Sequence, residues 1–181
     1  MNRGGVLVLD RDPARRVRFE VRRLNEWFDM ESAAARLPAS AGSGMTDPEL
    51  VAKKLALIEG CVADLRRLAR PADIDRDLRE RRFVEHTLQI AIQAAIDVGL
   101  HIVSDGRLGE PRTNREVFDL LEQAAIVSPA RGGMLRRMVG FRNVLVHGYD
   151  DVDLEVVRDI VTNRLDDLLA FAGDVRARFP V

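Results

Sequence analysis

Arg142, His147 and Tyr149 are the side chains in this sequence whose types and spacing could do chemistry together. They sit at fixed offsets in Phe141-Arg142-Asn143-Val144-Leu145-Val146-His147-Gly148-Tyr149, at the end of an apolar stretch. On a helix, Arg142 shares one line with Leu135, Met138 and Tyr149, so it falls within the apolar stripe. A guanidinium keeps its proton there and is almost never buried without a partner or a ligand. The plainer alternative is an arginine whose stem lies in the stripe while its head snorkels out. His147 follows roughly 140° further round, beside Gly140 and Asn143. An imidazole titrates near neutrality and can take or give a proton. It also makes an ordinary helix-end residue, since the negative dipole at a C-terminus favours its protonated form. Gly148 is a natural residue just past a helix, so the regular turn is expected to stop at His147. Tyr149 offers either a hydroxyl for chemistry or an aromatic ring packed at the start of a loop.

These groups need a scaffold, and from Asp47 onward the pattern is helical. Asp47-Pro48 opens a helix to about Ala69, with Leu50, Leu55, Ile58, Val62 and Leu65 on its apolar face. Arg70-Pro71 breaks it. A long helix is expected from Arg76 to Ser104, with an apolar centre at Leu88, Ile90, Ile92, Ala95, Ile96, Val98 and Leu100. Thr113 or Asn114 caps a helix to about Val127 on Val117, Phe118, Leu121 and Ala125. Ser128-Pro129 starts the helix that ends in the arginine and histidine. The last helix runs to about Arg178 on Val157, Ile160, Leu165, Leu168 and Phe171. Five helices with short connections make an all-α, antiparallel up-and-down bundle over residues 45–181.

Residues 1–44 are different in character. Gly4 to Asp10 reads as a short strand, and a densely charged helical stretch from Ala14 to about Leu37 carries Val17, Val21, Leu24 and Phe28 on one face. Pro38 to Gly44 is a linker by composition.

Two further polar sets bear on the site. Gln89, Gln93, Asp97 and His101 recur every four residues on the long helix. They form either a polar edge facing solvent or, through Asp97 and His101, a group that faces and neutralises Arg142 or His147. An Asp97/His101 metal pair fits the spacing but lacks a third ligand, so no metal is assigned. Arg131, Arg136 and Arg137 make the motif helix basic, and Arg131 shares the line of Arg142, which makes it the candidate for an extra phosphate contact. Asp150, Asp151 and Asp153 oppose that charge at once.

Composition sets outer limits. An apolar share of 46% and a charged share of 31% describe a globular chain, and a net charge of −1 leaves nucleic-acid contact to a local patch. One cysteine, Cys61, cannot form an intrachain disulfide and suits a reducing cytoplasm. Val6-Leu7-Val8-Leu9 is too short for a signal peptide, and no apolar run is expected to span a membrane. No phosphate loop, metal array or nucleophile elbow is present.

Arg142, four residues, His147, one residue, Tyr149 resembles the R-x4-H-x-Y signature of HepT-type toxins of the HEPN superfamily, small helical ribonucleases. The likeness covers roughly Met45 to Phe179. Residues 1–44 resemble the C-terminal tail of the MNT nucleotidyltransferases that serve as antitoxins to such toxins, without their catalytic part. An over-extended start codon, a fusion remnant and a real N-terminal arm are all open readings of that stretch. The resemblance implies the toxin of a type II/VII-like HepT/MNT system: a cytoplasmic, homodimeric endoribonuclease without cofactor or metal, acting on RNA and not DNA. Arg142 would hold and stabilise the scissile phosphate. His147 would be the acid–base group, Asn143 would line the site, and Tyr149 would be the hydroxyl that an MNT partner modifies with AMP. The alternative from the binding-module class is a non-catalytic, nucleotide-binding partner subunit of a nucleotidyltransferase.

Overall fold

The computed structural model of the chain describes residues 48–147 and 152–179. The strand, helix and linker expected in 1–44, together with Asp47, Gly148 and Tyr149, lie outside the described residues.

Helix α1 (Pro48–Leu68) buries Val51, Leu55, Ile58, Cys61, Val62 and Leu65. Leu50, expected on that face, is instead 40% exposed, because the stripe is centred on Val51 and Leu50 lies a full 100° away. Pro71–Asp73 forms a single 3-10 turn, and the next helix is delayed to Leu78 because Asp77 caps it, accepting from the N–H groups of Arg79 and Glu80. Glu80 is buried, and its carboxylate accepts the Arg70 N–H at 2.6 Å, tying the connection to the helix that follows it.

Helix α2 (Leu78–Asp105) is the central rod and packs against the helices on every side of it. By length and composition alone it could cross a membrane, contrary to the expectation above; more than half of its apolar window is buried inside the bundle, as in the core helix of a globular protein. Leu100, at its far end, is 37% exposed. Gly99 is where α3 (Asn114–Gln123) comes closest: a Cβ at Gly99 would stand 2.7 Å from Val117 Cγ1.

Helix α3 ends at Gln123, a turn earlier than the periodicity suggests. Ala125 adopts φ 54°, and the N–H groups of Ala125 and Ile126 turn back to the carbonyls of Glu122 and Leu121. That pair of bonds is a Schellman closure, a geometry usually marked by glycine. With alanine in the left-handed seat, the stop carries no sequence signal.

Helix α4 (Pro129–His147) begins where Ser128 Oγ accepts the Arg131 N–H and ends at His147, as expected. The final rod is made of α5 (Leu154–Asp159), a π-helical turn (Ile160–Arg164) and α6 (Leu165–Arg178), in unbroken succession. Phe118 of α3 and Phe171 of α6 meet edge to face, ring centres 6.0 Å apart, and close the core between them. The described residues contain helices and no strand, arranged as the antiparallel bundle expected.

Candidate functional site

Arg142 occupies the stripe of α4 that the spacing assigns to it. It is 7% exposed, on the line of Leu135 (1%) and Met138 (7%), with Leu145 and Val146 buried just beyond. Nothing in the register forces a cation there, because leucine or methionine would continue the pattern. A guanidinium held at that depth attracts an opposite charge more strongly than one in open water would. One residue on, Asn143 is exposed. His147 is the last residue of the helix, five positions after Arg142. Arg142 therefore approaches the end of α4 from the core side, while Asn143 and the histidine position lie on the outward side.

The remaining basic residues divide by what they face. Arg131, expected to hold an RNA phosphate, donates to the Asp174 carboxylate of α6 at 2.9 Å. That ion pair ties α4 to α6 through a partner 43 residues away in the sequence. Arg136 bridges Asp119 at 2.7 Å and Glu122 at 2.8 Å, and these bonds, Glu122 first, hold its guanidinium above its ordinary value. A groove of about 370 Å³ beside it is lined by Glu110, Glu116, Asp119 and Glu122, a surface that repels a phosphate backbone. Arg137 is exposed, and Arg115 of α3 extends over Gly140. Among the described residues neither has a carboxylate within 4.0 Å. Sequence reasoning passed over Arg115, whose only mark was a basic residue in the first turn of a helix.

On the polar ladder of α2, Asp97 makes its contacts with α1 and with its own helix. Asp97 accepts from Lys54 Nζ of α1 at 2.7 Å and from Gln93 Nε2 at 2.8 Å, so each carboxylate oxygen already has a donor. It joins α2 to α1. His101 has its Nε2 3.5 Å from the Asp105 carboxylate, one turn further along its own helix. Among the described residues no three His, Cys, Asp or Glu side chains gather in a way that could hold a metal ion.

Residues 58–175 match the family described as ribonuclease HepT-like. The mRNA nuclease HepT of Shewanella oneidensis is 28% identical over 130 residues, which are 71% of this chain and 98% of that protein. The tRNA nuclease HepT of Aphanizomenon flos-aquae is 32% identical over 109 residues, 59% of this chain and 74% of that one. Among solved structures, the tri-AMPylated Shewanella oneidensis HEPN toxin in complex with MNT antitoxin superposes with a TM-score of 0.68 at 29% identity, covering 74% of this chain and 99% of that one. YutE of Bacillus subtilis, a cytosolic protein of unknown function, shares the fold at TM-score 0.66 and 16% identity, covering 74% of this chain and 90% of its own.

Proposed function

The chain belongs to the ribonuclease HepT-like family, and from that premise we propose that it is the toxin of a toxin–antitoxin pair: a cytoplasmic endoribonuclease held in check by an MNT-type nucleotidyltransferase. The observation that carries the reading is Arg142, a cation kept in an apolar stripe at 7% exposure, five positions before a histidine that ends the same helix. Arg142 grips the scissile phosphate and stabilises the charge that builds on its non-bridging oxygens. His147 takes the proton of the ribose 2′-hydroxyl or returns one to the leaving 5′-oxygen, a task for a group titrating near neutrality. No metal enters this scheme. Asn143, exposed between them, lines the site. Asp97 and His101 support it at a distance, through the packing of α2.

Positions 142 and 147 are five apart, roughly 140° round α4 by helical register, which suits a site assembled from two copies of the chain, each supplying part of it. Control falls to Tyr149. Transfer of AMP from ATP to its hydroxyl, with the α–β phosphoanhydride bond breaking and pyrophosphate leaving, would set a phosphate beside Arg142, where an RNA phosphate otherwise binds, and neutralise the cation. That the Shewanella oneidensis toxin is AMPylated in complex with its MNT antitoxin supports this reading.

The test is regulated expression of the full chain as wild type and as His147→Ala, with RNA integrity followed alongside growth. Cleavage by wild type, and a loss of roughly 10²-fold or more in a folded His147→Ala, is the expected result. Equal cleavage by both would remove His147 from the chemistry. No cleavage by either folded protein would leave the partner-subunit reading, in which Arg142 grips a nucleotide.

A further inference from the structure

Helix α3 begins with a cation where helix electrostatics favour an anion. Thr113 is its cap and Asn114 its first residue, so Arg115 stands in the first turn, at the positive end of the macrodipole. The start is fixed from both sides. Thr113 Oγ1 accepts the Glu116 N–H at 3.3 Å, and the Glu116 carboxylate accepts the Arg112 N–H at 2.5 Å. The backbone under Arg115 is therefore well defined, yet among the described residues no carboxylate lies within 4.0 Å of its head. Arg131 and Arg136, by contrast, are both committed to carboxylates.

The guanidinium of Arg115 crosses to α4 and lies over Gly140. A Cβ there would stand 2.5 Å from Nη2 and 3.6 Å from Cζ, so a side chain at this position would push the flexible guanidinium aside. Gly140 falls on one helical line with Gly133 behind it and His147 ahead, each about 10 Å away along the axis. Arg137, exposed, has its Nη1 3.9 Å from where a Cβ of Gly133 would be. Two cations without carboxylate partners thus mark the outward line of α4 that leads to His147, and the carboxylate-lined groove lies with Arg136 instead.

We propose that Arg115, seated over Gly140, contacts a phosphate of the same RNA strand that Arg142 and His147 cleave, with Arg137 as the neighbouring contact; this rests on the ribonuclease reading above. A guanidinium fork matches two phosphate oxygens and reads no base, so these residues place the strand without choosing its sequence. A cation at a helix N-terminus is a local electrostatic cost, of the kind found where function overrides stability.

The experiment uses the full chain and a short, fluorescein-labelled, 2′-O-methylated oligonucleotide that cannot be cleaved, with Kd measured by anisotropy across a salt series. Cleavage of unmodified RNA is followed in parallel. Arg115→Gln is expected to weaken binding roughly threefold to tenfold and to reduce the slope of log K against log salt by about 0.7, one single-strand phosphate contact. Its cleavage defect falls on KM more than on kcat, and Arg115→Lys restores part of the affinity. Gly140→Ala, which evicts the guanidinium while favouring the helix, moves Kd in the same direction. If wild type binds and cleaves RNA while Arg115→Gln keeps the same Kd and slope, the proposal is wrong and the ribonuclease reading stands. A changed oligomeric state for Arg115→Gln in sedimentation overturns it too, making Arg115 an interface residue. If wild type neither binds nor cleaves RNA, both fail together.

Discussion

Gly99 sets the distance between α2 and α3, and a single added methyl tests how firmly. A Cβ at this position would lie 2.7 Å from Val117 Cγ1, 3.4 Å from Leu121 Cδ1 and 3.5 Å from Phe118 Cε1. Carbon pairs are most comfortable at about 3.5–4.0 Å, so only the valine contact is impossible, and it is too short by roughly 1 Å. Val117 cannot swing aside, because it is fully buried and β-branched, with one favoured χ1 in a helix. The whole of α3 must then move. Overpacking of this kind costs about 1–3 kcal/mol, offset by about 1 kcal/mol from replacing glycine in a helix interior. The net expectation for Gly99→Ala is a loss of up to about 2 kcal/mol, a fall in Tm of at most roughly 4–8 °C for a domain of this size. Gly60 provides the control. A Cβ there meets nothing within 4 Å, so Gly60→Ala should gain about 0.5–1 kcal/mol. Thermal melts followed by the helical circular dichroism signal measure both. A Gly99→Ala protein as stable as Gly60→Ala would refute the close-approach reasoning outright. Because α3 carries Arg115, Gly99→Ala should also weaken RNA binding at temperatures where it is fully folded.

Three further expectations come from other parts of the fold. Ala125→Gly relieves the left-handed seat at the end of α3 and should raise Tm by a few degrees, reflecting about 1 kcal/mol. Glu59 is held below its usual carboxylate range by its hydrogen bond from Arg176, with the Arg176 charge adding and partial burial opposing. Its contribution is therefore complete above the ordinary glutamate range and fades as pH falls through the lowered folded value. The Tm gap between wild type and Glu59→Gln should be small at neutral pH, since both partners are substantially exposed, and should close in acid. Asp174→Asn releases Arg131 to solvent, and should tighten oligonucleotide binding a few-fold with a steeper salt dependence.

What could be read from the sequence was whatever depends on near neighbours. The bounds of α4 followed from Ser128-Pro129 before it and Gly148 after it, and the burial of Arg142 from its seven-residue distance to Leu135. The end of α3 was hidden because alanine occupies a position that glycine normally announces. The π-helical turn at Ile160–Arg164 was equally silent, since no glycine or proline marks it. Ion pairs were beyond reach for a different reason. Arg131 meets Asp174 and Asp97 meets Lys54 across 43 residues in each case, so their partners exist only once the rods have packed. Arg131 therefore looked unpartnered and is paired with Asp174, whereas Arg115 looked ordinary and, among the described residues, has no carboxylate within 4.0 Å.

The internal spending of charge on α4 has a kinetic consequence. Of its four arginines, Arg131 and Arg136 are tied to carboxylates, Arg142 lies in the stripe, and Arg137 extends an exposed head with no carboxylate within 4.0 Å among the described residues. With a net charge of −1 overall, the chain has little long-range attraction for polyanions. A strongly basic nuclease would reach nucleic acid quickly and then linger on any stretch of it. Here encounter should run at the unsteered rate, roughly 10⁵–10⁶ M⁻¹s⁻¹, and vary little with ionic strength. Residence on the wrong strand is short, so the search is made of many brief visits.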